Sequence, residues 1–332
     1  MRIPYQLWGC RSRLRAGWPA PRCWHRWWLS ALCCAAVAAP PPKPANQVLR
    51  VAVWTDTSER PPLAAKDLSA TLAGVASRVV DVKGPYDNLM IIAVLDLAGD
   101  LSLAEPAKDA LAGAIEKLPP RASVAVMRAQ DGPKVLSDPG SDRAPAMAAV
   151  RDLPVSGKAG LLDTLQTVTS LADSILTKTG VRVAVLYLTD SDVENYREDF
   201  TNPVINSSDT HDLSRRFPEA LIQDKISKLS GVMEERQAPL FVVHLRSRSD
   251  RLGEAYQNGL KQLAEVTGGS AVFCRSSEEI ADAIRRMMGV ITSSYSVALA
   301  LPERLPKSLQ VQLETDGKGI LTYRTRFVVK ER

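Results

Sequence analysis

The chain has 332 residues, 45% hydrophobic and 24% charged, with a formal net charge of +5. That is an ordinary globular composition, long enough for one large domain and a smaller one, with a core that needs no disulfide staples. The basic excess lies in residues 1–38; without their six arginines Lys+Arg falls from 42 to 36 against 37 Asp+Glu, which removes the compositional case for a nucleic-acid binder.

Residues 1–38 read as a signal peptide. Arg2, Arg11, Arg13, Arg15, Arg22 and Arg26 form a basic region without acids. The apolar run Trp27–Ala38 follows, and Ala36-Val37-Ala38 offers a cleavage site that would leave Ala39 first. The alternative is an uncleaved anchor, but the run is short of the roughly 20 residues a span needs. The implied location is secreted, periplasmic or cell-envelope, with no membrane span once the leader is removed. Four of the five cysteines go with it, so Cys274 remains as a single buried structural thiol.

Residues 39–47, with Pro40-Pro41-Pro42-Lys43-Pro44, form a stiff spacer. An amino-terminal β segment, 48–84, follows. Its alternation predicts a strand at 48–55 and weaker ones near 68–73 and 77–82, joined at Gly74, and Gly84-Pro85 closes it. From 85 to 293 strands and helices alternate. Strands are expected at 89–96, 122–128, 181–189, 239–245 and 270–274, with an edge strand at 134–136. Helices are expected at about 103–117, 143–152, 161–178, 217–236, 253–267 and 277–292. Repeated βα units with short connections imply a mostly parallel, Rossmann-like sheet with helices on both faces. The tail, 294–332, alternates again at 295–301, 308–314 and 320–329. Three antiparallel strands are expected there, packing with 48–84 as a small β domain.

Leu89–Leu95 is a strand apolar enough to be buried on both faces, and it ends in Asp96-Leu97-Ala98-Gly99-Asp100. Val183–Leu188 repeats the event and ends in Thr189-Asp190-Ser191-Asp192. The carboxyl ends of such strands are where an open α/β sheet places its ligand. Asp96, Asp100 and Asp190 are therefore candidate ligands for a hard cation, or the remains of such a site.

The chain resembles von Willebrand factor A domains, and more narrowly the secreted bacterial VWFA-related family. The resemblance rests on Lys66-Asp67-Leu68 before Gly74, the strand ending at Asp96, Gly157 to Asp163, Thr189-Asp190, Leu263–Gly269 with its Thr-Gly-Gly, and Ser294-Tyr295 opening the tail. It implies a protein-interaction domain with a metal-ion-dependent adhesion site, built on Asp-x-Ser-x-Ser, a loop Thr and a later Asp. Mg²⁺ wants about six oxygens, and neutral hydroxyls ligate it without quenching its charge. Here Asp96 and Asp190 match, while Ala98 and Asp100 replace the serines and Ala159 the Thr. Two outcomes stay open. The three carboxylates hold Mg²⁺, Mn²⁺ or Ca²⁺ with waters filling the gaps, or no cofactor is bound and Lys158 neutralises the acids. Asp163 reads as a helix N-terminal acid.

The insertion 191–216 carries Asp192, Glu194, Tyr196, Arg197, Glu198, Asp199, Phe200 and His211. It rises from the same rim, either as a binding loop or as a solvated one. The expected partner-binding rim is Asp96, Asp100, Lys158, Asp190, Asp192, Glu194, Tyr196 and Phe200. Catalytic players are scarce. No Gly-x-Ser-x-Gly, His-Glu-x-x-His or Cys-x-x-Cys occurs, and His244, at the end of a buried strand, reads as a satisfied core-edge histidine. Arg246, Arg248 and Arg251 read as a solvated rim. The leading expectation is a non-enzymatic adhesion-type module with a degenerate metal site and an unidentified protein partner. The alternatives are a metal-assisted hydrolase using the strand-end carboxylates, and a structural envelope component that assembles through its β tail.

Overall fold

A computed structural model describes residues 48–56, 63–191, 218–302, 306–316 and 320–329. The leader, the spacer and nearly all of the insertion lie outside these residues. The central sheet has the order β10-β9-β8-β5-β6-β7. It comprises β5 (Leu89–Asp96), β6 (Ala122–Arg128), β7 (Lys134–Gly140), β8 (Arg182–Thr189), β9 (Leu240–His244) and β10 (Ala271–Phe273). All neighbours are parallel except β7, which runs antiparallel to β6 at one edge.

The strands are apolar on both sides because both sides are covered. Leu89, Ile91, Ala93 and Leu95 pack under α1 (Leu101–Glu116), α2 (Ala144–Arg151) and α6 (Glu278–Ser293). Ile92 and Val94 pack under α3 (Leu161–Thr179), α4 (Pro218–Met233) and α5 (Arg251–Val266). The order β9-β8-β5-β6 places β5 and β8 side by side in the middle. The chain reverses direction of progress there, so both acidic strand ends open on one crevice.

The flanking segments form two four-stranded antiparallel sheets, β13-β1-β11-β4 and β14-β12-β2-β3. They enclose a second core of Leu49, Val51, Leu72, Val297, Val311 and Phe327 among others. The amino-terminal strands are β1 (Val48–Thr55), β2 (Leu68–Leu72), β3 (Val75–Ser77) and β4 (Val79–Lys83), and the tail supplies β11 (Tyr295–Ala300) and β12 (Ser308–Thr315). The expected single strand at 320–329 is instead two, β13 (Leu321–Tyr323) and β14 (Arg326–Val328), in different sheets. The break is Arg324, whose guanidinium turns out of the strand to donate to the carbonyls of Glu234, Arg236 and Arg326. Likewise 77–82 splits: β3 pairs with β2 through the Ala73-Gly74 turn, where both residues have positive φ, and β4 crosses to the other sheet. The edge strand expected at 134–136 runs on to Gly140, with irregular register against β6 and Pro139 inside it, a pattern that blunts an open edge.

Candidate functional site

In the β5–β8 register Val94 faces Tyr187 and Asp96 faces Thr189, so Tyr187 shares a sheet face with Asp96. Asp96 is fully buried. A carboxylate there is tolerable only with donors on its oxygens. Oδ1 accepts the amide of Gly160 at 2.8 Å, and Oδ2 accepts the Tyr187 hydroxyl at 2.7 Å. Gly160 is the N-cap of α3, where amides lack helical partners and the helix dipole favours negative charge. A Cβ at 160 would lie 2.5 Å from the Ala129 carbonyl oxygen, so glycine is what lets this amide approach. Burial, and then the charge of Asp96, push the Tyr187 phenol well above its usual value. It stays protonated and remains a donor.

Asp190 is 7% exposed and is held by the loop it faces. Its Oδ1 accepts the amide of Ala98 at 2.9 Å, and its Oδ2 accepts those of Gly99 and Asp100 at 2.9 and 2.8 Å. Three successive backbone N–H groups converging on one anion form a nest. Asp100 does something different. It is the N-cap of α1, its Oδ1 accepting from the Ser102 amide at 2.9 Å and hydroxyl at 2.6 Å. Its Oδ2 meets Arg246 Nη2 at 2.9 Å. The Ser102 bonds first, with the Arg246 charge adding, hold its carboxyl below the usual 3.8.

Asp96, Asp100 and Asp190 thus lie on one rim, each with its carboxylate turned to different partners. Lys158 lies on the neighbouring loop, where its amide donates to Asp131 Oδ1 and its carbonyl accepts from the Asp131 amide, both at 2.8 Å. Asp192, Glu194, Tyr196 and Phe200 lie outside the described residues. Sequence reasoning missed Tyr187, Gly160 and the pairing of Arg246 with Asp100. Tyr187 had a signal: it is the one ring in an aliphatic strand, at a position that period-2 alternation puts beside Asp96. Arg246 had none, because its contact spans 146 residues.

His244 is buried, and its ring roles are fixed by its neighbours. Nδ1 accepts the Arg246 amide at 3.2 Å, so the proton sits on Nε2 and is donated to the Ser191 carbonyl at 2.9 Å. Both nitrogens are committed, which leaves His244 no role as a general base. Cys274 is 1% exposed, and burial, with Glu279 adding, pushes its thiol up to about 11. Its peptide is expected to stay unlabelled by iodoacetamide in the native protein at pH 8 and to label fully after denaturation, read by mass spectrometry.

These residues do not fit Mg²⁺. Ala98 and Ala159 bring no side-chain oxygen, and Arg246 puts a cation on the third acid where the metal would have to sit. Among the described residues no group of three or more His, Cys, Asp or Glu is placed to hold a metal ion.

No family model matches the sequence, and no curated protein matches it. Solved structures do resemble it in fold. One is a von Willebrand factor type A protein from Catenulispora acidiphila, 15% identical, covering 87% of this chain and 76% of that one at a TM-score of 0.40. Another is the PilB minor pilin of Streptococcus sanguinis, 11% identical, covering 62% of each chain at 0.45. A third is the vWF domain of the type V pili tip protein Mfa5 from Porphyromonas gingivalis, 14% identical, covering 62% of this chain and 95% of that one at 0.40. What the chain itself shows is a mostly parallel, Rossmann-like sheet between two helical layers.

Proposed function

We propose that this protein is a non-enzymatic, protein-binding von Willebrand factor A module of the cell envelope or exterior. Its binding surface is the rim at the carboxyl ends of β5, β8 and β9, and it works without a divalent cation. The observation that supports this reading is the Asp190 carboxylate, wrapped by the amides of residues 98–100. The acid organises the loop from within. Asp96 is likewise committed to Gly160 and Tyr187, so neither acid is available as a base for the hydrolase alternative. The product of this arrangement is a rigid rim that presents Leu101, 63% exposed at the first position of α1, beside Asp100 and Arg246. An exposed aliphatic side chain on a rigid, hydrogen-bonded loop fits an interface anchor ringed by polar groups. No helix among the described residues is long and apolar enough to cross a membrane.

The test is affinity capture with the full chain, comparing Mg²⁺ with chelator and wild type with Leu101→Asp. A partner retained equally in chelator and weakened about tenfold or more by Leu101→Asp is the expected result. Dependence on Mg²⁺, with heat on Mg²⁺ titration that disappears in Asp96→Ala, would overturn the metal-free reading. Indifference to Leu101→Asp would overturn the rim.

A further inference from the structure

Beside the acid-lined crevice the rim turns basic. The pairing of β9 with β10 continues past their ends: Phe273 registers with His244, the Cys274 amide donates to the His244 carbonyl, and the Ser247 amide donates to the Cys274 carbonyl at 2.6 Å. Arg246 and Arg275 therefore lie on adjacent segments that continue β9 and β10, and both are exposed. Two nearby acids of the described residues already accept backbone donors. Asp250 accepts the Gly253 amide as the N-cap of α5, and Glu279 Oε2 accepts the Arg275 amide at 2.8 Å. Asp100 serves Ser102 with one oxygen and Arg246 with the other.

The ion pair with Asp100 fixes the Arg246 guanidinium through one Nη2 bond while its side chain stays 46% exposed. A guanidinium has five N–H donors in a planar fork, so one held at one corner still offers a pre-oriented edge to a second carboxylate. Leu101 follows Asp100 in the chain and is 63% exposed, so an apolar side chain stands one residue from the acid that anchors Arg246. We infer that the partner of this rim is an acidic protein segment, whose carboxylate docks on Arg246 with Arg275 adding charge and whose adjacent apolar side chain covers Leu101. This rests on the binding reading above and names the partner's chemistry. A nucleic-acid backbone is the poorer fit: it offers no aliphatic side chain to cover Leu101, and the chain beyond residue 38 carries no basic excess.

The probe is a fluorescent dodecapeptide alternating Glu and Leu, titrated into the full chain in chelator. Its Gln-for-Glu counterpart serves as control and a dT oligonucleotide as competitor. The expected result is binding of the acidic peptide alone, weakened by added salt, and weakened about tenfold in both Arg246→Gln and Arg275→Glu. Arg275 makes no ion pair among the described residues, so its variant keeps the test alive if Arg246→Gln disturbs the loop. Equal binding of the Gln peptide, displacement by the oligonucleotide, no binding, or indifference to both variants would overturn the inference. If capture of a partner still depends on Leu101 while the acidic peptide fails, the inference falls and the binding reading stands. If Leu101→Asp leaves capture unchanged, the binding reading itself falls.

Discussion

Asp190→Ala is expected to destabilise the protein by about 3 kcal/mol and to lower Tm by roughly 6–12 °C. The carboxylate accepts three charge-assisted bonds at 2.8 to 2.9 Å, from the amides of Ala98, Gly99 and Asp100. Such bonds contribute about 1.5–3 kcal/mol each. Their sum is discounted because Gly99 is exposed and Ala98 and Asp100 are only half-buried, so water takes up part of what the carboxylate leaves. The loss has an address. The amides of 98–100 should lose hydrogen-exchange protection, Leu101 should lose its fixed place, and partner binding should weaken more than stability alone accounts for. Asp190→Asn should cost about half as much, because one oxygen remains an acceptor while the amide NH₂ confronts a backbone donor. Added Mg²⁺ should not protect wild type against heat. If it does, or if the 98–100 amides stay protected in Asp190→Ala, the carboxylate is not the hub of this loop.

Much of the fold was legible because its signals are local. Leu89–Leu95 and Val183–Leu188 are apolar throughout apart from the Tyr187 hydroxyl, which a strand covered on both faces explains, and the alternation of such runs with amphipathic helices leaves a parallel sheet as the simplest solution. The β segments were harder to read. Periodicity marks 320–329 as extended, but nothing in it shows that Arg324 leaves the strand for the carbonyls of residues 234 and 236, so the division into β13 and β14 was invisible. The turn after Leu72 was readable from Gly74, yet the transfer of β4 to the opposite sheet depends on its pairing with β11, more than 200 residues away.

The candidate site divides in the same way. Asp96, Asp100 and Asp190 were visible as charges ending apolar runs. What they bond to was not, because their partners are backbone amides, and an amide carries no mark in sequence. Ala98 and Ala159 hinted at this, since losing two hydroxyl ligands weakens a metal site without saying what replaces it. The replacement is main-chain geometry: the nest at 98–100 around Asp190, and the Gly160 amide at the head of α3.

At the opposite end of the sheet, Arg182→Ala is expected to cost about 3–5 kcal/mol, because it removes four charge-assisted hydrogen bonds and leaves their carbonyl acceptors short of a donor. Arg182 opens β8 and is 3% exposed. Its Nη2 donates to the carbonyls of Pro85 and Asp87 at 3.0 Å, and its Nη1 to those of Ser294 at 2.7 Å and Thr292 at 3.3 Å. Those carbonyls belong to the two connections between the α/β unit and the β sheets, the one before β5 and the one between α6 and β11. One guanidinium thus clamps the chain where it enters the parallel sheet and where it leaves. Burial lowers its pKa to about 10, so it remains a cation at any physiological pH. Since the unfolded state binds the proton more tightly, this group's burial opposes folding below about pH 10. What offsets that cost is its set of carbonyl acceptors, which a lysine cannot reach together. Arg182→Lys should therefore recover less than half the loss. Hydrogen exchange should rise first at 84–88 and 292–296, leaving the 98–100 amides protected. Uniform loss of protection across both ends would mean that Arg182 supports the whole sheet rather than its two junctions.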